Sequence, residues 1–339
     1  MINADDVSSN TWISRHEVMQ PKVVDDLEVS TLEAGRTHLL ALTLLENAAA
    51  RPIRLPLLVA RGSTAGPTFG VTAAIHGNEV NGIRVIQALF EHIDPKKLRG
   101  TLIGAPIVNL PAYIRYQREY PDGQDLNRIM PGRANGNEAQ LYAHLLMQRL
   151  IGHFDYLVDL HTASFGRVNS LYVRADMSNE LTAMMARQIG AEIIVHNPGG
   201  DGTLRAAAAA AGVHAITVEV GDPQVIERPL VRKSRIGLRD LLEDLNMVDP
   251  DGERNEHAAI ECGRSYWLYT DTGGILRLRV ALRQELSAGD EIARLIDPWG
   301  QLLRTYTAPE PAIVVGMATN PVARAGARIV HLGVIAQPR

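Results

Sequence analysis

Cysteine is almost missing from the chain, which has 339 residues and a single thiol, Cys262. One thiol cannot form an intrachain disulfide, so the fold must be stabilised by its core rather than by covalent cross-links. We interpret Cys262 as a small buried side chain rather than as a nucleophile. Long apolar runs are missing as well, and no stretch is apolar for long enough to span a bilayer.

The chain also lacks a strong excess of charge of either sign. Its net charge is -4, with 46% hydrophobic and 21% charged residues, which is typical of ordinary globular proteins. This balance gives no argument for nucleic acid or an anionic membrane as a partner. The segment 1–7 is acidic and lacks the basic and apolar regions of a signal peptide. We therefore expect a cytoplasmic protein that binds neither nucleic acid nor membrane.

The order of apolar patterns predicts an α/β domain that extends to about residue 245. Predicted strands cover 38–46, 53–60, 69–75, 101–108, 154–160, 192–195 and 213–220, and predicted helices cover 80–92, 138–151, 181–190, 204–211 and 235–245. This alternation of strand and helix indicates three layers. Residues 1–30 are polar and mixed, and we expect them to form an N-terminal arm.

A polar, turn-prone segment at 248–256 marks a change in pattern. After it no helical periodicity is found. Short predicted strands cover 266–269, 274–280, 291–296, 312–315 and 328–332. We therefore predict two domains, 1–252 and 253–339, of which the second is small and all-β.

The motif His76-Gly-Asn-Glu79 stands between a predicted strand and a predicted helix. On such a turn one imidazole nitrogen and one carboxylate oxygen can reach the same cation. A catalytic zinc ion usually has three protein ligands, and His161, at the end of the strand 154–160, would complete a His2Glu set. The alternatives are a solvated turn for the motif and, for His161, a strand-end histidine bonded to backbone.

Glu219 follows an apolar run, 213–218, and is the candidate for the proton shuttle that amide hydrolysis needs. The alternative is an edge strand from which Glu219 faces solvent. In the long polar loop 113–135, Asn127 and Arg128 suit a carboxylate. Arg118 suits a developing oxyanion, with Arg115 close by as the other choice.

Five motifs occur together in a set order and spacing. They are His76-Gly-Asn-Glu79, Asn109-x-Pro111, Asp125-Leu-Asn-Arg128 with Pro131-Gly132, Asp159-Leu-His-Thr162 and Glu219-Val-Gly221. In this respect the chain resembles the succinylglutamate desuccinylase/aspartoacylase family, whose members are relatives of zinc carboxypeptidases. The resemblance covers most of residues 35–335. It implies a zinc-carboxypeptidase-like α/β domain with a mixed sheet, followed by a barrel sandwich of the biotinyl/lipoyl type.

Carried over residue by residue, the resemblance implies one Zn2+ per chain on His76, Glu79 and His161. Asn127 and Arg128 would then hold the substrate carboxylate. Members of the family deacylate N-acyl amino acids and related small amides. The subgroup that includes N-acetyl-diaminobutyrate deacetylases is similar in length and in its β-rich tail.

The resemblance also implies that Glu219 acts as general base and acid and that Arg118 assists the oxyanion. Where aspartoacylases have substrate-selecting polar residues before the catalytic glutamate, this chain has Arg205 and then only alanines, so the resemblance does not imply specificity for N-acetylaspartate. Arg205 is the candidate for substrate binding at this place. Lys233 is the last lysine, so the β-rich tail has no amine that could carry biotin or lipoate.

The sequence therefore predicts a zinc amidohydrolase whose partner is a small N-acyl amino acid. A zinc carboxypeptidase that acts on peptides would use the same residues. A non-catalytic binding protein is the third hypothesis, although none of His76, Glu79, His161 and Glu219 has been lost. The acyl group, the amino acid and the oligomeric state, including a homo-oligomer, stay open.

Overall fold

The computed structural model of the protein describes residues 20–255 and 258–336. Residues 1–19 of the predicted N-terminal arm lie outside the described residues. The rest of that segment is not a free arm, because Lys22–Val24 forms a strand, β1. It pairs in parallel with β2, Arg36–Glu46, so that Lys22 lies opposite Leu40.

The strands predicted for the α/β region are all present, and two unpredicted strands are found in addition to β1. After β2 they are β3 (Pro52–Arg61), β4 (Thr64–Ala73), β5 (Arg99–Ala105), β6 (Tyr156–His161), β7 (Arg167–Asn169), β8 (Leu171–Ala175), β9 (Ile193–His196) and β10 (His214–Val220). The sequence analysis did not find β7 and β8. Both are short, and the charged Arg174 interrupts the apolar pattern of β8.

The five predicted helices are present as well. They are α1 (Asn81–Glu91), α3 (Glu138–Arg149), α4 (Glu180–Gln188), α5 (Leu204–Ala210) and α6 (Arg228–Asp244), with a further short helix, α2 (Leu110–Ile114), after β5. Short 3₁₀ turns cover Val29–Thr31, Leu126–Arg128 and Ile151–His153. Helix α6 begins well before its predicted start at Arg235, because Pro229 is tolerated in the first turn of a helix.

Only strands follow residue 258 in the described part of the chain. They are β11 (Ile260–Tyr269), β12 (Gly274–Leu278), β13 (Glu285–Leu286), β14 (Glu291–Ile296), β15 (Leu302–Thr307), β16 (Ala312–Ala318), β17 (Val322–Ala323) and β18 (Arg328–Ile335). The predicted all-β character of this region is confirmed. Its barrel-sandwich topology and the domain boundary at residue 252 stay predictions.

One mixed sheet runs through the molecule in the order β1-β2-β3-β5-β4-β6-β10-β8-β9-β11-β18-β16-β13, with β7 paired to β16. Strand β10 is parallel to β6 and antiparallel to β8. A second sheet has the order β15-β14-β12-β17. The β-rich region is therefore joined to the α/β region edge to edge, where Ile260 of β11 pairs with Ile193 of β9.

The central strands are buried on both faces, which is why their sequences are nearly continuous apolar runs. Val158 packs into a core that it shares with α1, α4 and α6, whereas its neighbour Leu157 packs into a second core with α3 and α5. Successive side chains of a strand point to opposite faces, so helices cover both sides. The mixed α/β fold predicted from the sequence is thus confirmed.

The predicted linker is packed against the α/β region where it is described. Asp249 pairs with Arg99 at 2.9 Å, and Glu253 pairs with Arg235 at 2.5 Å. Residues 256–257 lie outside the described part of the chain. Among residues 20–255 and 258–336, no helix has the length and apolarity needed to cross a membrane.

Candidate metal centre and active site

His76 and Glu79 lie on the turn between β4 and α1, and the backbone of this turn is unusual. Ala74 has a φ of 53°, in the left-handed region that non-glycine residues rarely adopt. Gly77 has no room for a side chain, since a Cβ there would lie 2.3 Å from the carbonyl carbon of Ala112 in α2. The tight contact explains why glycine separates the two candidate ligands.

The motif Asn109-x-Pro111 holds this turn in place. The side-chain amide of Asn109 donates to the carbonyl of Ile75 at 2.9 Å, and its oxygen accepts from the backbone N–H of Ala112 at 3.2 Å. Asn109 is therefore the N-cap of α2 and a brace for the segment that carries His76.

His76, Glu79 and His161 come together as the sequence predicted. Their candidate ligand atoms lie within 4.8 Å of one another, and all three residues are buried. Nδ1 of His76 is 2.9 Å from one oxygen of Glu79, and Nδ1 of His161 is 3.0 Å from the other. The backbone-bonded alternative for His161 is thus wrong, because its ring contacts two carboxylates.

The outer nitrogen of each imidazole is bonded to a further carboxylate. Nε2 of His76 lies 3.0 Å from Asp125, and Nε2 of His161 lies 2.7 Å from Asp159. When Nε2–H donates to a carboxylate, the lone pair is on Nδ1, which faces Glu79. This arrangement of carboxylate and imidazole is the usual support for a histidine that binds zinc.

The residues present fit a zinc ion. Nδ1 of His76 is buried without a hydrogen-bond partner, although an oxygen of Glu79 is only 2.9 Å away. Two atoms bound to one zinc ion lie about 3 to 3.5 Å apart, given Zn–N and Zn–O distances of about 2.0–2.2 Å. A short contact that lacks hydrogen-bond geometry is expected of two ligands directed at the same cation.

The charges of Glu79 and of the two histidines strongly affect one another. Burial alone would raise the pKa of Glu79, but His76 and His161 hold it well below its usual range. Burial likewise would lower the pKa of His161, but Asp159 and Glu79 raise it well above its usual value. The carboxylates therefore favour a positive charge at His161, either a proton or, in its place, a metal cation.

Glu219 lies on an interior strand, and the edge-strand alternative is wrong. Strand β10 is paired on both sides, and Glu219 stands opposite His161 in β6 and Tyr172 in β8. Its side chain is 13% exposed and faces the same cavity as the histidines. Burial raises the pKa of its carboxyl group.

Of the two candidate arginines, Arg118 lies at the cavity and Arg115 is exposed outside it. Arg118 donates to Glu79 at 2.8 Å and to Asp125 at 3.0 Å, and it also contacts Ser164. The guanidinium therefore stands beside the histidine cluster.

Asn127 and Arg128 also line the cavity, but the side chain of Asn127 is in addition bonded to the backbone of a helix. The side-chain oxygen of Asn127 accepts from the backbone N–H of Leu204 at 2.7 Å, at the start of α5. Its amide nitrogen has no partner among the described residues. Arg128 bonds to the carbonyl of Asn127 at 2.7 Å and is exposed at the cavity mouth.

Arg205 is buried, with 3% of its surface exposed, and also lines the cavity. It donates to Asn197 at 2.8 Å, and the nearest carboxylate, that of Asp201, is 3.9 Å away. Burial lowers the pKa of this guanidinium, and the nearby Arg174 adds to the effect. Arg205 is therefore a cation with little compensating charge.

The cavity has a volume of about 460 Å³, and its wall includes residues that the sequence analysis missed. Asn169, Tyr172 and Arg174 come from β7 and β8, which were not predicted. Trp267 and Arg328 come from β11 and β18 of the β-rich region. Cys262, in contrast, is a buried side chain, as interpreted from the sequence, and does not line the cavity; burial raises the pKa of its thiol to about 12.

Comparison with known proteins gives a family for the chain. Residues 65–245 match the model of the succinylglutamate desuccinylase/aspartoacylase catalytic domain. The chain belongs to this family. The matched segment contains the whole predicted set of metal ligands, together with Glu219, and the predicted family is confirmed.

Individual members of the family are similar over most of the chain. The N-alpha-acetyl-L-2,4-diaminobutyric acid deacetylase of Halomonas elongata is 25% identical over 270 residues, which are 76% of this chain and 77% of the relative. A product-bound structure of the ectoine utilization protein EutE (DoeB) from Ruegeria pomeroyi has a TM-score of 0.79 at 22% identity, covering 90% of this chain and 98% of the other.

A succinylglutamate desuccinylase/aspartoacylase from Rhodobacter sphaeroides is similar to the same extent. It has a TM-score of 0.81 at 21% identity and covers 92% of this chain and 98% of the other. These likenesses between whole structures extend to the β-rich region and show that the fold is shared.

Proposed function

We propose that the protein is a zinc-dependent amidohydrolase that removes the acyl group from a small N-acyl amino acid. The observation that carries the proposal is the meeting of His76, Glu79 and His161 with Glu219 on the wall of one cavity. The deacetylase activity named for the relative from Halomonas elongata supports it.

Within residues 20–255 and 258–336 there is one complete ligand set for zinc. His76 and His161 would bind one Zn2+ per chain through Nδ1, and Glu79 through its carboxylate. When bound, zinc polarises an amide carbonyl and lowers the pKa of water. Asp125 and Asp159 keep both imidazoles in the tautomer that leaves Nδ1 free.

Glu219 is suited to move the proton that amide hydrolysis requires. An amine leaves only after protonation, so one group must take a proton from the attacking water and return it to the nitrogen. Burial raises the pKa of Glu219, which brings a carboxyl group closer to the pH at which it can do both. Arg118, beside the histidines, would stabilise negative charge on the carbonyl oxygen.

The cavity is suited to an anionic substrate. Six guanidinium groups and four carboxylates line it, so cations exceed anions by two before any metal is counted. Arg128 at the mouth and the free amide of Asn127 would bind the substrate carboxylate. The buried Arg205 would contact a polar or anionic group deeper in the cavity.

The size of the cavity favours small molecules over peptides. About 460 Å³ is in the range of small-ligand sites. Trp267 and Arg328 extend the wall from the β-rich region, so this region would cover the site. The carboxypeptidase alternative needs an open cleft and has less support.

A deacylase screen on zinc-loaded protein tests the proposal. The substrates are the N-acetyl and N-succinyl forms of aspartate, glutamate and 2,4-diaminobutyrate, with a short peptide as the alternative substrate. We expect hydrolysis of at least one acyl amino acid, and a preference for dicarboxylic amino acids over the cationic diaminobutyrate, because arginine dominates the wall. Chelation should abolish the activity and zinc should restore it.

The metal content of variants completes the experiment. Purified protein should contain about one zinc per chain, and His161→Ala should lose it, whereas His153→Ala, outside the cavity, should keep it. Hydrolysis of the peptide alone would favour the carboxypeptidase. Full zinc occupancy in His161→Ala, or no hydrolysis of any substrate, would overturn the proposal.

A further inference from the structure

Glu219 is held by side chains that are not metal ligands. The amide nitrogen of Asn169 donates to one of its oxygens at 3.1 Å. Nε of Arg174 lies 3.8 Å from the other oxygen. Tyr172 stands directly opposite Glu219 in the antiparallel pair of β8 and β10, so both side chains lie on the cavity face.

The bonds made by Tyr172 determine the direction of its hydroxyl proton. The hydroxyl oxygen accepts from Arg174 twice, from Nε at 3.2 Å and from Nη2 at 2.7 Å. A tyrosine hydroxyl has one proton and accepts through its oxygen, so with acceptance satisfied by a cation the proton is left to donate. Glu219 stands across the strand pair as the facing carboxylate, and after burial it is among the causes that raise the pKa of Tyr172.

Arg174 contacts Tyr172 more closely than it contacts Glu219. Its guanidinium carbon lies over the ring of Tyr172, 5.3 Å from the ring centroid, and its donors are directed at the hydroxyl. A bidentate contact with Glu219 would hold the carboxylate in an ion pair and away from the histidines. At 3.8 Å the cation compensates for the buried charge without making that contact.

Asn169 is fixed from the other side by the β-rich region. Strand β7 pairs with β16, and Asn169 stands opposite Gly316. A Cβ on Gly316 would lie 2.4 Å from the side-chain oxygen of Asn169, so only glycine leaves room for the observed rotamer. The amide of Asn169 is thereby directed at Glu219.

We propose that Asn169, Tyr172 and Arg174 are positioning residues that direct the carboxylate of Glu219 at the histidine cluster, and that Gly316 makes the β-rich region part of this support. The inference rests on the proposed role of Glu219 as the general base. It assigns the region after residue 258 a function in turnover besides covering the cavity.

A double-mutant cycle tests whether Tyr172 acts through Glu219. In the parent, Tyr172→Phe should lower kcat about 10- to 100-fold and leave KM within about twofold, because a misdirected base slows the reaction without weakening binding. In the Glu219→Gln background the same change should have no further effect. Tyr142→Phe, which removes another buried hydroxyl that does not line the cavity, is the control and should leave kcat unchanged.

The outcomes separate this inference from the proposed function. Equal losses from Tyr172→Phe in both backgrounds would overturn the positioning role and leave the function intact. Normal turnover by Glu219→Gln would overturn the assignment of the base and with it the positioning role. A rise in KM at unchanged kcat would make Tyr172 a substrate contact instead.

Crystal structures give a readout that does not depend on activity. We expect one Glu219 rotamer in the parent and a different or mixed rotamer in Tyr172→Phe and in Gly316→Ala. Gly263→Ala on β11 of the same sheet is the control, since a Cβ there has only Ala336 within 4.0 Å. An unchanged Glu219 rotamer in both test variants would overturn the proposal.

Discussion

Asp159 and His161 are bonded to each other on one strand, with 2.7 Å between the carboxylate and Nε2. The two residues are two positions apart on β6, so their side chains share a face, and both are buried. Asp159 also accepts from the hydroxyl of Thr72 on β4 at 2.7 Å. The carboxylate is therefore fixed before any metal binds, and it orients the ring of His161.

Loss of the charge on Asp159 should weaken metal binding. Asp159→Asn keeps the size of the side chain but makes His161 a less basic ligand, and we expect zinc affinity to fall about 10- to 100-fold. Competition with a chromophoric chelator measures this. Asp155→Asn, on an exposed residue before the same strand, is the matched control. Equal affinities for all three proteins would show that Asp159 does not support the ligand.

Glu219→Gln should separate chemistry from binding. Glutamine has nearly the same shape but cannot carry the proton, so turnover should fall about 10²- to 10⁴-fold while zinc content and melting temperature stay at parent values. Steady-state kinetics, metal analysis and calorimetry check the three properties. A variant that turns over within a few-fold of the parent would mean that another group is the base.

Arg128→Lys should reduce activity on the free acid of a substrate more than activity on the matching amide. If the guanidinium makes two parallel bonds to a substrate carboxylate, lysine replaces them with one point charge. We expect kcat/KM on the free acid to fall about 10- to 100-fold, which is the size of a charge-assisted hydrogen bond. Activity on the matching amide should change little. Arg115→Lys, outside the cavity, is the control, and equal losses on acid and amide would assign Arg128 a structural role.

Asp222 should make stability depend on pH in a defined direction. One oxygen of its carboxylate is buried without a partner, and burial, with a smaller effect of Glu227, raises its pKa to about 6. Because the unfolded value is about 3.9, ionisation destabilises the native state, and this loss develops as the pH rises through about 4 to 6.

Asp222→Asn removes the titration and should be more stable than the parent at pH 7. Its advantage in the free energy of unfolding should shrink as the pH falls from 7 to 5. Urea denaturation at pH 5, 6 and 7 measures it. A difference between the two proteins that is the same at all three values would contradict the role of Asp222.

The sequence by itself determined the local structure around the centre. The change from an apolar strand to a helical pattern put His76 and Glu79 on a turn, and the strand 154–160 put His161 at its end. These features follow from the hydrophobic periodicity and the turn-forming residues of short segments. They can therefore be predicted from each segment by itself. The predicted metal ligands lie close together because the strands that precede them, β4 and β6, are parallel.

The tertiary structure alone decided what surrounds Glu219. The order β6-β10-β8 makes its strand interior and brings Tyr172 opposite it. Trp267 and Arg328 reach the cavity from strands much later in the chain. Such contacts depend on which strands pair and in which register, and a one-residue change of register would turn each side chain to the other face. No local sequence pattern specifies the strand order or the register, because both are set by packing between segments far apart in sequence.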